Sequence, residues 1–149
     1  MLTLRSLVTA ATAGLTALTV ALPTVQAAET APLVDGTYTY GETSEPQTTG
    51  ATYMTFEVYQ GRWVGAFYQP QSAFDCFVGE PDGNRLALTI TDSYSEETYS
   101  YDVAIARNGQ VAAQRGLQTE LTLGGLQELS APSDLDREII ATCREALAD

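Results

Sequence analysis

The chain has 149 residues, with 7 basic against 19 acidic side chains and a formal net charge of −12. Every base is Arg, since Lys and His are absent. These absences exclude imidazole general-base catalysis, Ser-His and Cys-His dyads, Schiff-base chemistry and histidine metal sites. A polyanion of this kind is repelled by nucleic acid and by anionic lipid headgroups, so neither is expected as a partner.

Arg5 is the one charge ahead of an apolar run from Leu7 to Leu22, which ends at Pro23 and is followed by Val25-Gln26-Ala27. Val at the third position back and Ala at the last fit signal-peptidase cleavage between Ala27 and Ala28, so residues 1–27 read as a signal peptide. A membrane anchor is the competing reading. Thr, Gly and Ala dilute the run, however, and a span needs roughly 20 predominantly apolar residues. No Cys lies near the cleavage site, so no lipid anchor is expected, and the mature chain is placed in the periplasm or outside the cell without a stable membrane anchor. Removing the signal leaves six Arg against 19 acids, a net charge of −13.

Residues 28–35 read as a flexible lead to a single β-rich domain over 36–149, long enough for a modest core. The first strand is expected at Gly36 to Tyr40, with Tyr38 and Tyr40 on one face. Glu42 to Gly50 has the composition of a solvated loop, and its length also allows a mobile flap. The stretch from Met54 to Gln69, MTFEVYQGRWVGAFYQ, carries the densest large apolar side chains and is expected as the central hairpin. If Gln60 and Gly61 are the loop, then Val58, Phe56 and Met54 oppose Trp63, Gly65 and Phe67 and make one apolar face. A one-residue slip through a bulge at Gly61 would split that set between faces. Gln60 resists the positive φ of a type I′ turn, which favours the slip. Burial decides for the first register, because several large side chains at roughly 2 kcal/mol each outweigh a turn preference of about 1 kcal/mol.

Pro70 to Ala73 turns the chain into a strand at Phe74 to Gly79, and Glu80 to Asn84, EPDGN, is a turn signal. The return strand, Arg85 to Thr91, alternates with Leu86, Leu88 and Ile90 inward. After a loop at Asp92 to Thr98, the segment Tyr99 to Arg107 sets Tyr99, Tyr101, Val103 and Ile105 on one face. Asn108-Gly109 predicts a tight hairpin with Gln110 to Gln114 as its return strand. Leu117 to Leu123 follows and ends at Gly124-Gly125. The fold class is therefore mainly β: a small antiparallel barrel or strongly curled sheet of seven or eight short strands.

One helix is expected over 134–147, packed on the sheet. Ser133 is its N-cap, with Asp136 at the third position of a capping box and Asp134 complementing the helix dipole. Leu135, Ile139, Cys143 and Leu147 recur every four residues, and Ile140 and Ala146 widen that stripe, which must pack on something. Arg137, Glu138, Arg144 and Glu145 fall outside it and read as solvated. Cys76 lies in a strand and Cys143 on the apolar stripe. In an exported chain they are expected to pair, stabilising the fold by roughly 4 kcal/mol on the chain-entropy model. Two buried free thiols are the alternative. A redox-active pair has no support, since there is no CxxC spacing and no Lys or His to lower a thiol pKa.

The runs DGTYTYGE, YMTFEVYQGRWVGAFYQPQSAFDCFVG and LALTITDSYSEETYSYDVAIA, with the final ATCREAL, resemble a group of small exported, signal-bearing proteins of cyanobacteria. The resemblance covers most of the mature chain, and GAFYQPQSAFDCF is its most specific part. It implies a shared β-rich fold with the two cysteines paired. It supplies no activity.

Three candidate sites come from the residues themselves. DSYSEETYSYD, from Asp92 to Asp102, gathers four carboxylates and three Tyr. Asp92, Glu96 and Glu97 are oxygen ligands of the kind calcium takes, but the spacing is not that of an EF-hand and the central Gly is missing. A carboxylate pair there, beside stacking Tyr rings, is also the equipment of a glycosidase. The aromatics Tyr53, Tyr59, Tyr68 and Phe74 share the outer face of the central hairpin and its neighbour. Exposed, they make a binding platform; under the helix, they are a second core layer, which a sheet with aromatics on both faces favours. In a wide barrel, Phe56, Trp63 and Phe67 would instead line a ligand cavity. No cofactor is expected. The reading is a non-enzymatic exported domain that binds a protein, a glycan or a small apolar ligand, or serves as a cell-envelope accessory. A carboxylate-based polysaccharide hydrolase is the alternative.

Overall fold

The computed structural model describes residues 33–113 and 116–148. The signal peptide expected over 1–27, its cleavage at Ala27 and Ala28, and most of the lead over 28–35 lie outside the described residues. Eight strands follow in order: β1 (Gly36–Gly41), β2 (Tyr53–Tyr59), β3 (Arg62–Tyr68), β4 (Phe74–Asp82), β5 (Arg85–Thr91), β6 (Thr98–Ala113), β7 (Gly116–Leu123) and β8 (Leu126–Glu128), and then helix α1 (Asp134–Ala146). Each strand pairs antiparallel with the next, and β8 pairs with β1, which closes the meander into a barrel.

The central hairpin takes the register that burial favours: Val58 opposes Trp63, Phe56 opposes Gly65, and Met54 opposes Phe67. Gln60 and Gly61 both adopt positive φ, 50° and 82°, the pattern of a type I′ turn. The strain at Gln60 is offset by its N–H, which donates to Asp35 Oδ1 at 2.9 Å. Gly65 is required by crowding, since a Cβ there would sit 2.0 Å from the Thr55 carbonyl oxygen and 2.5 Å from Phe56 Cβ. The Phe56 ring can then lie across the strand and stack on Trp63, with centroids 4.6 Å apart. Met54, Val58, Phe77, Leu86, Leu88 and Ile90 complete this interior with Val103 and Leu123.

The outer face of β2 to β4 carries a second buried layer beneath α1. Tyr53, Ala66 and Tyr68 pack with Ile139 and Cys143 of the helix and with Leu129, flanked by Val64, Phe74 and Cys76. Cys76 and Cys143 form a disulfide, with S–S 2.00 Å and Cα atoms 5.4 Å apart, so the helix is bonded to the barrel wall. Ser133 caps α1, and the capping box with Asp136 is present. The buried stripe is rotated from the expected one: Leu135 is 37% exposed and Ala146 is exposed, whereas Asp136 is buried with Ile139, Ile140 and Cys143. Arg144 is exposed, as expected, and reaches Glu57 on β2 at 3.1 Å.

Two turns fall elsewhere than expected. β4 runs on to Asp82, and Pro81 sits within it. The last pairing of β4 with β3 is Trp63↔Gly79, so Pro81 lies where β4 has lost one neighbour and a missing N–H is tolerated. The bend itself is at Gly83, with φ 63°. Asn108-Gly109 is not a hairpin. β6 passes straight through it, with Arg107 opposite Leu121 and Gln110 opposite Thr119, so two residues face one across a β-bulge. The pairing continues to Ala113↔Gly116, a longer ladder than a turn at 108–109 would allow. Gln110 to Ala113 therefore belong to β6, and Gln114 lies outside the described residues. The eighth strand is β8, after the Gly124-Gly125 turn.

Candidate functional site

The wall of the barrel is incomplete at one place. β6 pairs with β5 over Thr98 to Ala104, but its pairing with β7 begins only at Ile105. Among the described residues, the first half of β6 thus has a strand on one side only. Ile105 N–H donates toward β5, to Asn84 O at 2.8 Å, while Ala104 O accepts from Gly124 N–H on the β7 side, also at 2.8 Å. Residues of an antiparallel strand alternate between the two sides, so Tyr99, Tyr101 and Val103 turn their N–H and C=O groups to β5. Those of Ser100 and Asp102 face the gap.

A cavity of about 570 Å³ opens beside this edge. Phe67, Ile90, Val103, Leu123 and Leu126 give it an apolar floor, with Tyr99 and Tyr101 on one side and Glu42 and Thr52 on the other. Tyr99 and Tyr101 lie opposite Ile90 and Leu88, on the inner face of the barrel, yet they are 47% and 50% exposed. Asp102 and Ala104 face outward and line the same cavity. One cavity reaches both faces of a strand only by passing its edge, so the opening is through the wall as well as along the axis.

Three carboxylates, from Glu42, Asp75 and Asp102, border the cavity, and among the described residues no basic side chain lines it. Each is held in place: Glu42 Oε2 accepts the Thr52 N–H at 2.7 Å, Asp75 Oδ1 the Ser93 N–H at 2.9 Å, and Asp102 Oδ2 an Arg85 nitrogen at 2.8 Å. Arg85 also donates to Asp82 at 2.6 Å, and these contacts raise its pKa, the Asp82 bond most. The Tyr99 phenol is pushed up by burial and then by the negative charges of Asp75 and Asp92.

The residues singled out from the sequence are distributed differently. Tyr53 and Tyr68 are buried under α1 with rings 5.4 Å apart, and Phe74 is half-buried beside them. Tyr59 alone of the four is well exposed, at the tip of the β2–β3 hairpin. They form no common exposed platform. Phe56 and Trp63 fill the interior, and only Phe67 reaches the cavity. Asp92 Oδ1 accepts from the N–H groups of Tyr94 and Ser95 and from the Ser95 hydroxyl. The Ser95 and Tyr94 main-chain bonds hold its carboxyl below the usual range. Asp92 thus folds the loop that carries Glu96 and Glu97, and among the described residues no group of three or more acidic or Cys side chains is placed to hold a metal ion. The Glu42 to Gly50 loop is fixed by the Tyr53 hydroxyl, which donates to Glu45 O at 2.7 Å and accepts from Thr48 N–H at 2.8 Å. Sequence reasoning missed the mouth. Its signal was the amphipathic pair Tyr99 and Tyr101 at inward positions where β5 carries Leu and Ile.

No family model, curated protein or solved structure matches this chain. No helix among the described residues is long and apolar enough to cross a membrane.

Proposed function

We propose that the chain is an exported, non-enzymatic binding domain whose ligand occupies the open mouth of the barrel. The observation that carries this reading is the half-exposure of Tyr99 and Tyr101 on a face that is otherwise core. Large amphipathic rings held on a rigid strand at the lip of an apolar cavity are a low-entropy binding surface. Export is supported by the signal-like residues 1–27, by the disulfide, which belongs to an oxidising compartment, and by the resemblance to exported cyanobacterial proteins. The bordering carboxylates are committed to main-chain or Arg85 bonds, which suits positioning and charge selection.

The test is fluorescence titration with N-phenyl-1-naphthylamine, an uncharged apolar probe. Saturable enhancement is expected, and Tyr101→Ala should weaken it about tenfold, or about 1.4 kcal/mol, the size of a lost aromatic contact. Enhancement that never saturates, or that ignores Tyr101→Ala, would remove the mouth as the binding site.

A further inference from the structure

We infer that the occupant of the mouth is an extended, cationic polypeptide segment that adds as a strand to the free edge of β6. This rests on the reading of the mouth as the binding site and specifies what binds there. The edge from Thr98 to Val103 offers main-chain donors and acceptors at Ser100 and Asp102 that meet no strand among the described residues. Unpaired edges in native proteins are blunted by Pro, Lys, bulges or an overlying element. Here the sequence TYSYDV has no Pro and carries a single charge, Asp102, which is bonded to Arg85, the bulge of β6 lies further on, beyond Arg107, and Ser100 and Asp102 are exposed. An edge left open beside an apolar cavity is the arrangement that strand addition uses, with main-chain bonds for affinity and alternate side chains for specificity.

The charge of the occupant follows from the rim. An added strand would turn alternate side chains into the cavity, against Tyr101 and Val103, and the others outward beside Asp102. Among the described residues the cavity is lined by three carboxylates, of which Asp102 is paired with Arg85, and by no base, so apolar residues alternating with Arg or Lys complement the unpaired Glu42 and Asp75. A second copy of this chain is the poorer occupant, because each mature copy brings a net charge of −13.

The probe is a synthetic eight-residue peptide of alternating Val and Arg, compared with the same peptide N-methylated at every residue so that neither edge can donate, with amide hydrogen exchange as readout. The Val-Arg peptide should slow exchange at Ser100 and Asp102 at least tenfold, and the N-methylated peptide should not. Ser100→Pro removes a donor that faces the gap and no bond to β5. It should weaken peptide binding at least tenfold with the thermal midpoint kept; if that variant fails to fold, the N-methylated peptide makes the same test. Peptide binding that shifts Tyr99 and Tyr101 resonances without protecting Ser100 and Asp102 would overturn strand addition and leave the mouth as a binding site. So would binding of the naphthylamine but not of the peptide. Protection that rises with protein concentration alone would overturn it in favour of self-association.

Discussion

Tyr68 and Asp136 join the barrel to the helix at the scale of single atoms. The Tyr68 hydroxyl donates to Asp136 Oδ1 at 2.6 Å, while Asp136 Oδ2 accepts from the N–H and hydroxyl of Ser133 at 2.7 Å each. One carboxylate thus caps the helix and docks it. Tyr68→Phe should cost about 1.5–3 kcal/mol in denaturant unfolding, the worth of a hydrogen bond to a charged group. Burial, the bond to Asp136 and the charge of Asp136 raise the Tyr68 phenol well above its ordinary value near 10. The stability this confers is complete below pH 10 and is lost as pH rises beyond it, so Tyr68→Phe should flatten the alkaline limb of the stability curve. Gly65→Ala would force a Cβ into the Thr55 carbonyl and should cost about 3 kcal/mol or prevent folding, read by thermal unfolding. Asp92 has the opposite sign to Tyr68. Its lowered pKa means that the Asp92 to Glu97 turn is complete above about pH 4 and loosens as pH falls through the lowered value. Asp92→Asn should remove that acid dependence from the Tyr94 and Ser95 amide shifts. The capping role of Asp136 was legible from Ser133 three residues earlier. Its second partner lies 68 residues away, and no local pattern announces a bond of that span.

At the scale of elements, alternation was a reliable guide wherever one face had to be buried. The register of β2 with β3 followed from it even against the turn preference of Gln60, because a slip would have exposed half of the aromatic set. The disulfide was legible for the same reason: Cys143 shares a helical stripe with Ile139, and that stripe had to meet the sheet. Replacing both Cys76 and Cys143 by Ser should lower stability by about 4 kcal/mol, with the helix signal lost at lower denaturant than the barrel signal. Asn108-Gly109 misled because a dipeptide with strong turn chemistry also suits a bulge. The choice was settled by the length of the ladder with β7, a property of two strands together. β8 was missed because three residues are too few to show alternation. The rotation of α1 that exposes Leu135 follows from docking through Asp136, a polar residue that hydrophobic periodicity does not count.

At the scale of the whole molecule, an antiparallel barrel or curled sheet with a helix packed on it was legible from strand spacing and the amphipathic C-terminus, whereas closure through β8 and β1 and the gap were not. The gap arises because β6 is long enough to serve β5 with its first half and β7 with its second, and because Gly124-Gly125 sends the chain away just where a further strand would have sealed the wall. Such a stagger is a relation among four strands and leaves no mark in any one of them. The resulting mouth joins apolar floor, aromatic lip and acidic border in one place, and this juxtaposition supports the binding role. The most direct measurement is residue-resolved amide hydrogen exchange along β6 in the free protein. Slow exchange is expected at Tyr101 and Val103, whose N–H groups face β5, with fast exchange at Ser100 and Asp102 between them. Uniform protection from Tyr99 to Val103 would mean that the edge is covered, and the account of the mouth as an open binding site would fail.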